Sequence, residues 1–206
     1  MAFPSFFAEI RPIILRDRLA QFLGAADGGL IEYHYADVVK LAGHSCPTVA
    51  GAYLMTSRVL NALYGDDMPE RGDIRVDFRE SQEVGVVGVT ASVIGMLTGA
   101  AGIGGFKGLA GNFSRRDLMC FDTDILGEVC FTRRDTGDSL SAELNLSHIP
   151  PDPRMGPLLQ RLLAGERDSV VAEVFATLWQ DRVRQILVDH FDDPKTVQLH
   201  RYQLPC

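Results

Sequence analysis

The chain has 206 residues, 46% hydrophobic and 23% charged, which suits one globular domain with a sizeable core. A net charge of −7 and a pI near 5.2 argue against nucleic acid as the main partner, because phosphate binding needs a basic face. No apolar run is long enough to span a bilayer, which excludes a membrane-crossing helix.

The first residues, MAFPSFFAEIRPIILRDRL, lack a basic n-region, a continuous apolar stretch and a cleavage site. The expected location is therefore the cytoplasm, with the four cysteines as reduced thiols or ligands and no disulfide framework. In residues 12–24, Ile14, Leu15, Leu19 and Leu23 form an apolar stripe between a Pro and a Gly, which predicts an amphipathic helix. LIEYHY reads as a short strand or as the lead-in to a short helix, YADVVKLAG.

The central stretch is KLAGHSCPTVAGAYLM, residues 40–55. Pro47 suits the first turn of a helix, since its missing N–H has no partner to lose there. Val49, Tyr53, Ser57, Leu60 and Leu63 then share one face, with Ala50 and Leu54 beside it, which predicts a helix over 47–64. Cys46 falls at the N-cap, where unpaired N–H groups favour a thiolate, the form that binds metal or attacks an electrophile. His44 adds a nitrogen ligand or a proton acceptor. The bland alternative is a buried Cys after a capping His.

After a turn-rich loop, IRVDFRE alternates Ile74, Val76 and Phe78 with polar residues, the pattern of a half-buried strand. SQEVGVVGVTASVIGMLTG reads as a buried helix over about 84–98, with Val86, Val89, Val93 and Met96 or Leu97 on one face. Gly85, Gly88 and Gly95 would permit close packing there. Residues 99–112, GAAGIGGFKGLAGN, are the most glycine-dense part of the chain. Their N–H groups with Lys107 could cradle an anion, although neither a Walker A loop nor a dinucleotide fingerprint is present. A plain structural turn is the alternative.

RDLMCFDTD, EVCFTRRDT and SLSAELNLS predict three strands with short connections, an antiparallel meander. Cys120 and Cys130 read as core fillers within them, and Cys206 as an incidental terminal thiol. A Pro-rich break precedes a short helix, RMGPLLQRLLAG, and a long one over 167–190, apolar along Val170, Val174, Leu178 and Ile186. The long helix is expected to cover the sheet or a dimer partner. The tail TVQLHRYQL alternates like a last strand. His34 could fold back toward His44 as a ligand, or belong to a surface cluster with Tyr33 and Tyr35. His148, His190 and His200 show no partner by spacing, and Glu80 and Glu83 read as solvated carboxylates. No nucleophile elbow or zincin helix is present.

Two blocks together resemble the FmdE family, which takes its name from formylmethanofuran dehydrogenase. YADVVKLAGHSCPTVAGAYLM is similar to its opening His-Gly-His-x-Cys-Pro-Gly motif, with a short helix before and a long one after. VTASVIGMLTGAAGIGGFKGLAGNFSRRDLMCF is similar to its helix ending in Leu-Thr-Gly, its Gly-Lys-Gly-Asn loop and the strand that follows. The resemblance spans roughly residues 30–135. It implies an α+β core, an intimate homodimer, and a cleft where His44 and Cys46 hold a transition metal, commonly zinc. The loop residues Gly104, Lys107, Gly108, Gly111 and Asn112 would then shape a ligand site. Ala42 replaces the motif's first His, no thiol follows the first strand, and no zinc ribbon is present. A complete site would need His34, Glu80, a second copy of the chain or water as a further ligand.

The expected architecture is one α+β domain over 1–206: helices on an antiparallel sheet, a core over 29–148, and helices and tail over 153–206. Three functional readings stay open. The first is a metal-binding protein with His44 and Cys46 as ligands, taking a small anionic ligand or serving a redox enzyme of one-carbon or molybdenum- and tungsten-related metabolism. The second is an enzyme using the Cys46 thiolate with His44 as base, or metal-activated water. The third is a non-catalytic dimeric scaffold.

Overall fold

Alternation, not helical spacing, governs the first regular element. In the structure, a computed structural model that describes residues 2–202, strand β1 (Ile13–Asp17) buries Ile13, Leu15 and Asp17 and exposes the residues between. It pairs antiparallel with β2 (Leu30–Tyr33) and parallel with the two-residue β3 (Glu70–Arg71). The helix expected over 12–24 shrinks to α1 (Arg18–Phe22), whose N-cap Asp17 accepts the Leu19 and Ala20 N–H groups. A period-two register with two strand partners outweighs the helical stripe, since Leu23 is 60% exposed and has no core to face.

Helix α2 (Tyr35–Ala42) leads through a turn to α3 (Pro47–Tyr64), which has the bounds that Pro47 and the apolar spacing predict. Twelve of its residues are buried, so α3 is the central rod of the molecule. Gly51 explains how closely it approaches the sheet: a Cβ there would lie 2.2 Å from a Leu144 methyl. The Tyr53 hydroxyl, deep in the core, donates to the Arg11 and Tyr33 carbonyls. Each large side chain buried along α3 contributes roughly 1.5–3 kcal/mol.

Strand β4 (Ile74–Phe78) and helix α4 (Val87–Thr98) follow as expected. The buried face of α4 is Ala91, Val93, Ile94 and Leu97, whereas Val86 and Val89 are exposed. The larger sheet runs in the order β5-β4-β6-β7-β8, with β5 (Met119–Cys120), β6 (Val129–Arg133), β7 (Ser139–Leu144) and β8 (Val197–Tyr202). Pairings β4–β6, β6–β7 and β7–β8 are antiparallel. The meander expectation fails at β5, which pairs parallel with the far edge of β4. The glycine-rich loop delivers it there, Val76 N–H bonding the Leu118 carbonyl, and residues 121–128 wrap the end of β4, where Thr123 donates to the Phe78 carbonyl. Helices with mixed sheets make the fold α+β.

The short helix α5 (Met155–Leu163) and α6 (Ser169–Arg184) form a hairpin, and α6 runs on into a π-helical turn, Gln185–Asp189. Of the stripe expected to face inward over 167–190, only the residue in the π-helical turn is buried. Ile186 is buried, while Val170 is 65% exposed and Val174 37%. Val171 and Val183 take the inner positions. Among the described residues no helix is long and apolar enough to cross a membrane. Cys206 and the end of the predicted last strand lie outside the described residues.

Candidate metal centre

The turn between α2 and α3 is tightly built. Gly43 ends α2 in the left-handed region at φ 75°, a conformation glycine adopts without strain. His44 is exposed, and its Nδ1 donates to the Ala42 carbonyl at 2.9 Å. In the neutral ring the lone pair then sits on Nε2. Cys46 is 9% exposed and takes the N-cap position, its Sγ accepting the Val49 N–H at 3.5 Å. Between them Ser45 is clamped by α6. Its carbonyl accepts Trp179 Nε1 at 2.8 Å and Gln180 Nε2 at 3.3 Å, and its hydroxyl donates to Gln180 at 3.0 Å. That contact gives α6 a role the sequence did not suggest. The N-cap prediction for Cys46 matches the geometry.

His34 caps α2 instead of folding back. Its backbone N–H bonds Asp37 in a capping box, and its Nε2 lies 3.2 Å from Glu32. Tyr35, expected in a surface cluster with it, is 1% exposed. Burial in that aromatic core, where Phe7 and Tyr53 pack edge-on against the ring, pushes its phenol well above the ordinary value.

In the glycine-rich loop, Leu109 and Asn112 bond each other's backbone across Ala110 and Gly111, both at positive φ, as in a tight primed turn. Gly108, at φ 88°, is pressed against that turn: a Cβ would fall 2.2 Å from the Asn112 carbonyl oxygen. The Leu109 and Asn112 N–H groups thus donate to each other's carbonyls. Lys107 and Gly104 are exposed.

Two adjoining cavities, of about 360 and 170 Å³, share Val86, Thr90 and Glu128. Glu80 lines the larger, and Pro47 and Thr48 at the start of α3 line the smaller. Desolvation pushes the Glu128 carboxyl up, against the Leu144 N–H that it accepts.

Among the described residues, one group of three metal-ligating side chains converges: His148, His190 and Asp193, with ligand atoms all within 4.8 Å of one another. By spacing alone His148 and His190 are given no partner and Asp193 is not singled out; the topology explains why the three meet. Strands β7 and β8 pair antiparallel with Leu144 opposite Val197, so the chain leaving β7 and the chain entering β8 share one end of the sheet. Asn145 N–H bonds the Thr196 carbonyl at 2.9 Å, extending that register. His148 sits beyond it, and His190 ends the π-helical turn. Arg58 on α3 anchors the approach by donating to the Phe191 carbonyl at 2.9 Å.

Asp193 Oδ2 lies 3.4 Å from His148 Nε2 and 3.2 Å from His190 Nδ1. Ligands about 2.0–2.1 Å from a tetrahedral zinc stand roughly 3.3–3.4 Å apart, so these separations match two edges of such a site. The same distances also suit hydrogen bonds from the rings to the carboxylate. Asp193 Oδ1 accepts the Lys195 N–H at 2.9 Å, and His148 Nε2 lies 3.1 Å from the Thr196 hydroxyl. The Lys195 N–H and then the His190 hydrogen bond hold the Asp193 carboxyl below the usual range. The side chains are 26% (His148), 34% (His190) and 26% (Asp193) exposed, so the cluster is open to solvent. The signal available in the sequence was the His190-x-x-Asp193 spacing at a helix end. His148, far earlier in the chain, could not be joined to it without the register of β7 on β8.

No protein-family model matches the chain, and no curated protein matches it. Among solved structures it is similar to a tungsten formylmethanofuran dehydrogenase FmdE-like protein from Syntrophus aciditrophicus. The two share 15% identity and a TM-score of 0.43, covering 84% of this chain and 74% of the other.

Proposed function

We propose that this is a metal-binding protein whose centre is His148, His190 and Asp193. The observation that carries this reading is the convergence of three ligand atoms from two separated stretches of chain within 4.8 Å. Two imidazoles and a carboxylate are a borderline-to-hard donor set that suits zinc, and three protein ligands leave a position open for water or substrate. An ion there would tie the end of β7 to the entrance of β8. The test is elemental analysis and zinc titration of untagged protein beside His190→Ala and Asp193→Ala. Near-stoichiometric zinc that both variants lose supports the centre. Zinc retained in both, or never bound by the parent, overturns it.

A second reading keeps Cys46 and His44 as a thiolate centre or as ligands of a second ion. It is favoured by the N-cap position of the thiol, where Sγ accepts the Val49 N–H. Rapid, selective alkylation of Cys46 in metal-free protein would support it, and an inert thiol would remove it. We also propose a homodimer. Its support is the apolar surface on the α5–α6 hairpin, where Leu163 is 79% exposed and Val170 65%. Light scattering at micromolar concentration, with a monomer mass as the refuting result, decides it.

A further inference from the structure

The corner beneath the glycine-rich loop is built from charge. Asp17, 3% exposed, accepts Arg71 Nη1 at 2.8 Å and Arg115 Nη2 at 2.6 Å, besides the two N–H groups of α1. Arg115 Nη1 donates to the Arg71 carbonyl at 2.6 Å. Its guanidinium lies so close over Gly72 that a Cβ there would fall 0.6 Å from Nη1. Arg71 also donates from Nε and Nη2 to the Met96 carbonyl at 3.3 and 2.9 Å. This inner pair is held in place by the fold and fixes the walls of the corner.

In front of it lies a cavity of about 180 Å³ lined by four arginines: the inner pair Arg71 and Arg115, and Arg18 and Arg134. Asn112 and Ser114 add an amide and a hydroxyl. Two carboxylates, Glu70 and Asp73, share the lining and Asp17 lies behind it, so the four arginines still outnumber the carboxylates that face them, in a chain of net charge −7. Arg18 and Arg134 differ from the inner pair. Arg18 reaches Glu70 through Nε at 3.2 Å, and Arg134 reaches Asp73 through Nη1 at 3.4 Å. Their side chains are 65% and 49% exposed. Each guanidinium has five N–H donors in a planar fork, so most of the donors of both remain for a ligand.

We propose that this cavity binds a phosphate-type oxyanion, with Arg18 and Arg134 as the clamp and the inner pair as a fixed positive wall. Its volume lies below the roughly 300–1,000 Å³ of pockets for drug-sized ligands, so it selects a phosphate group or a short phosphorylated molecule. Charge-assisted, bidentate contacts from arginine give such a small ligand its affinity. The anion expected at Lys107 is thereby assigned to arginines that share the cavity with Asn112.

The test is a thermal-shift titration with inorganic phosphate in a buffer free of other oxyanions, at ionic strength held constant with chloride. The proteins are wild type, the Arg18→Ala/Arg134→Ala double variant, Arg154→Ala as a control outside the cavity, and His190→Ala to separate this site from the metal centre. The expected result is a saturable rise in Tm for wild type, with the midpoint weakened about tenfold or more in the double variant. Each protein is read against its own phosphate-free Tm, and Arg154→Ala and His190→Ala keep the wild-type midpoint. A wild-type Tm indifferent to phosphate, or a double variant with the wild-type midpoint, overturns the proposal.

Discussion

The two histidine sites of this molecule differ in how they are made. His44 and Cys46 are two residues apart in the chain, yet the turn sends one to the surface and the other to a helix N-cap. His148 and His190 are far apart in the chain, yet their rings stand edge to face with centroids 5.4 Å apart and both reach one oxygen of Asp193. Proximity in sequence put two ligand types in one turn. The strand register made ligand atoms converge.

The sharpest way to break this contrast is at the convergent site. His190→Ala or Asp193→Ala should weaken zinc binding by about 100-fold or more, whereas Cys46→Ala and His44→Ala should leave it within about twofold. Competition against a calibrated chelator measures both. Equal losses at the two sites would reverse the assignment.

The next effect is on pH. The Asp193 carboxyl is held low by the Lys195 N–H and by His190, so it stays ionised well into acid. A depressed pKa contributes stability above the unfolded value, lost only as pH falls through the folded one. The metal-free protein should therefore lose stability as pH falls through the lowered carboxyl value, and Asp193→Asn should flatten that acid limb in denaturant titrations. An acid limb unchanged in Asp193→Asn would show that the carboxyl gains nothing from its two partners.

Smaller effects sharpen the other side. Cys46→Ala removes a buried N-cap acceptor and should cost about 1 kcal/mol in a denaturant titration without changing the m-value. Smallest of all, His44→Ala alters an exposed ring bonded only to the neighbouring Ala42 carbonyl, and should stay within about 0.5 kcal/mol of the parent. A loss well above that would mean His44 holds the turn.

Much of the fold was legible in local patterns. Pro47 and the apolar faces after it fixed the bounds of α3, and the alternation of Ile74, Val76 and Phe78 fixed β4. The N-cap place of Cys46 followed from Pro47 alone. Residues 12–24 misled because Ile14, Leu15, Leu19 and Leu23 sit at helical spacing by coincidence of strand and helix. Only pairing with β2 and β3 reveals the period of two. Met119 and Cys120 misled because a short connection to the next strand does not oblige the two to pair when β4 offers a free edge.

By itself, then, the sequence determined what depends on neighbours within a turn or two: helix starts, strand alternation, and the α+β class. Capping, proline geometry and side-chain periodicity act over that range. Tertiary structure decided what depends on which strand lies beside which. It set Asp17 beneath Arg71 and Arg115 from residues far along the chain, and brought His148 to His190 and Asp193. Those meetings follow from sheet register and loop closure, which no local pattern of residues encodes.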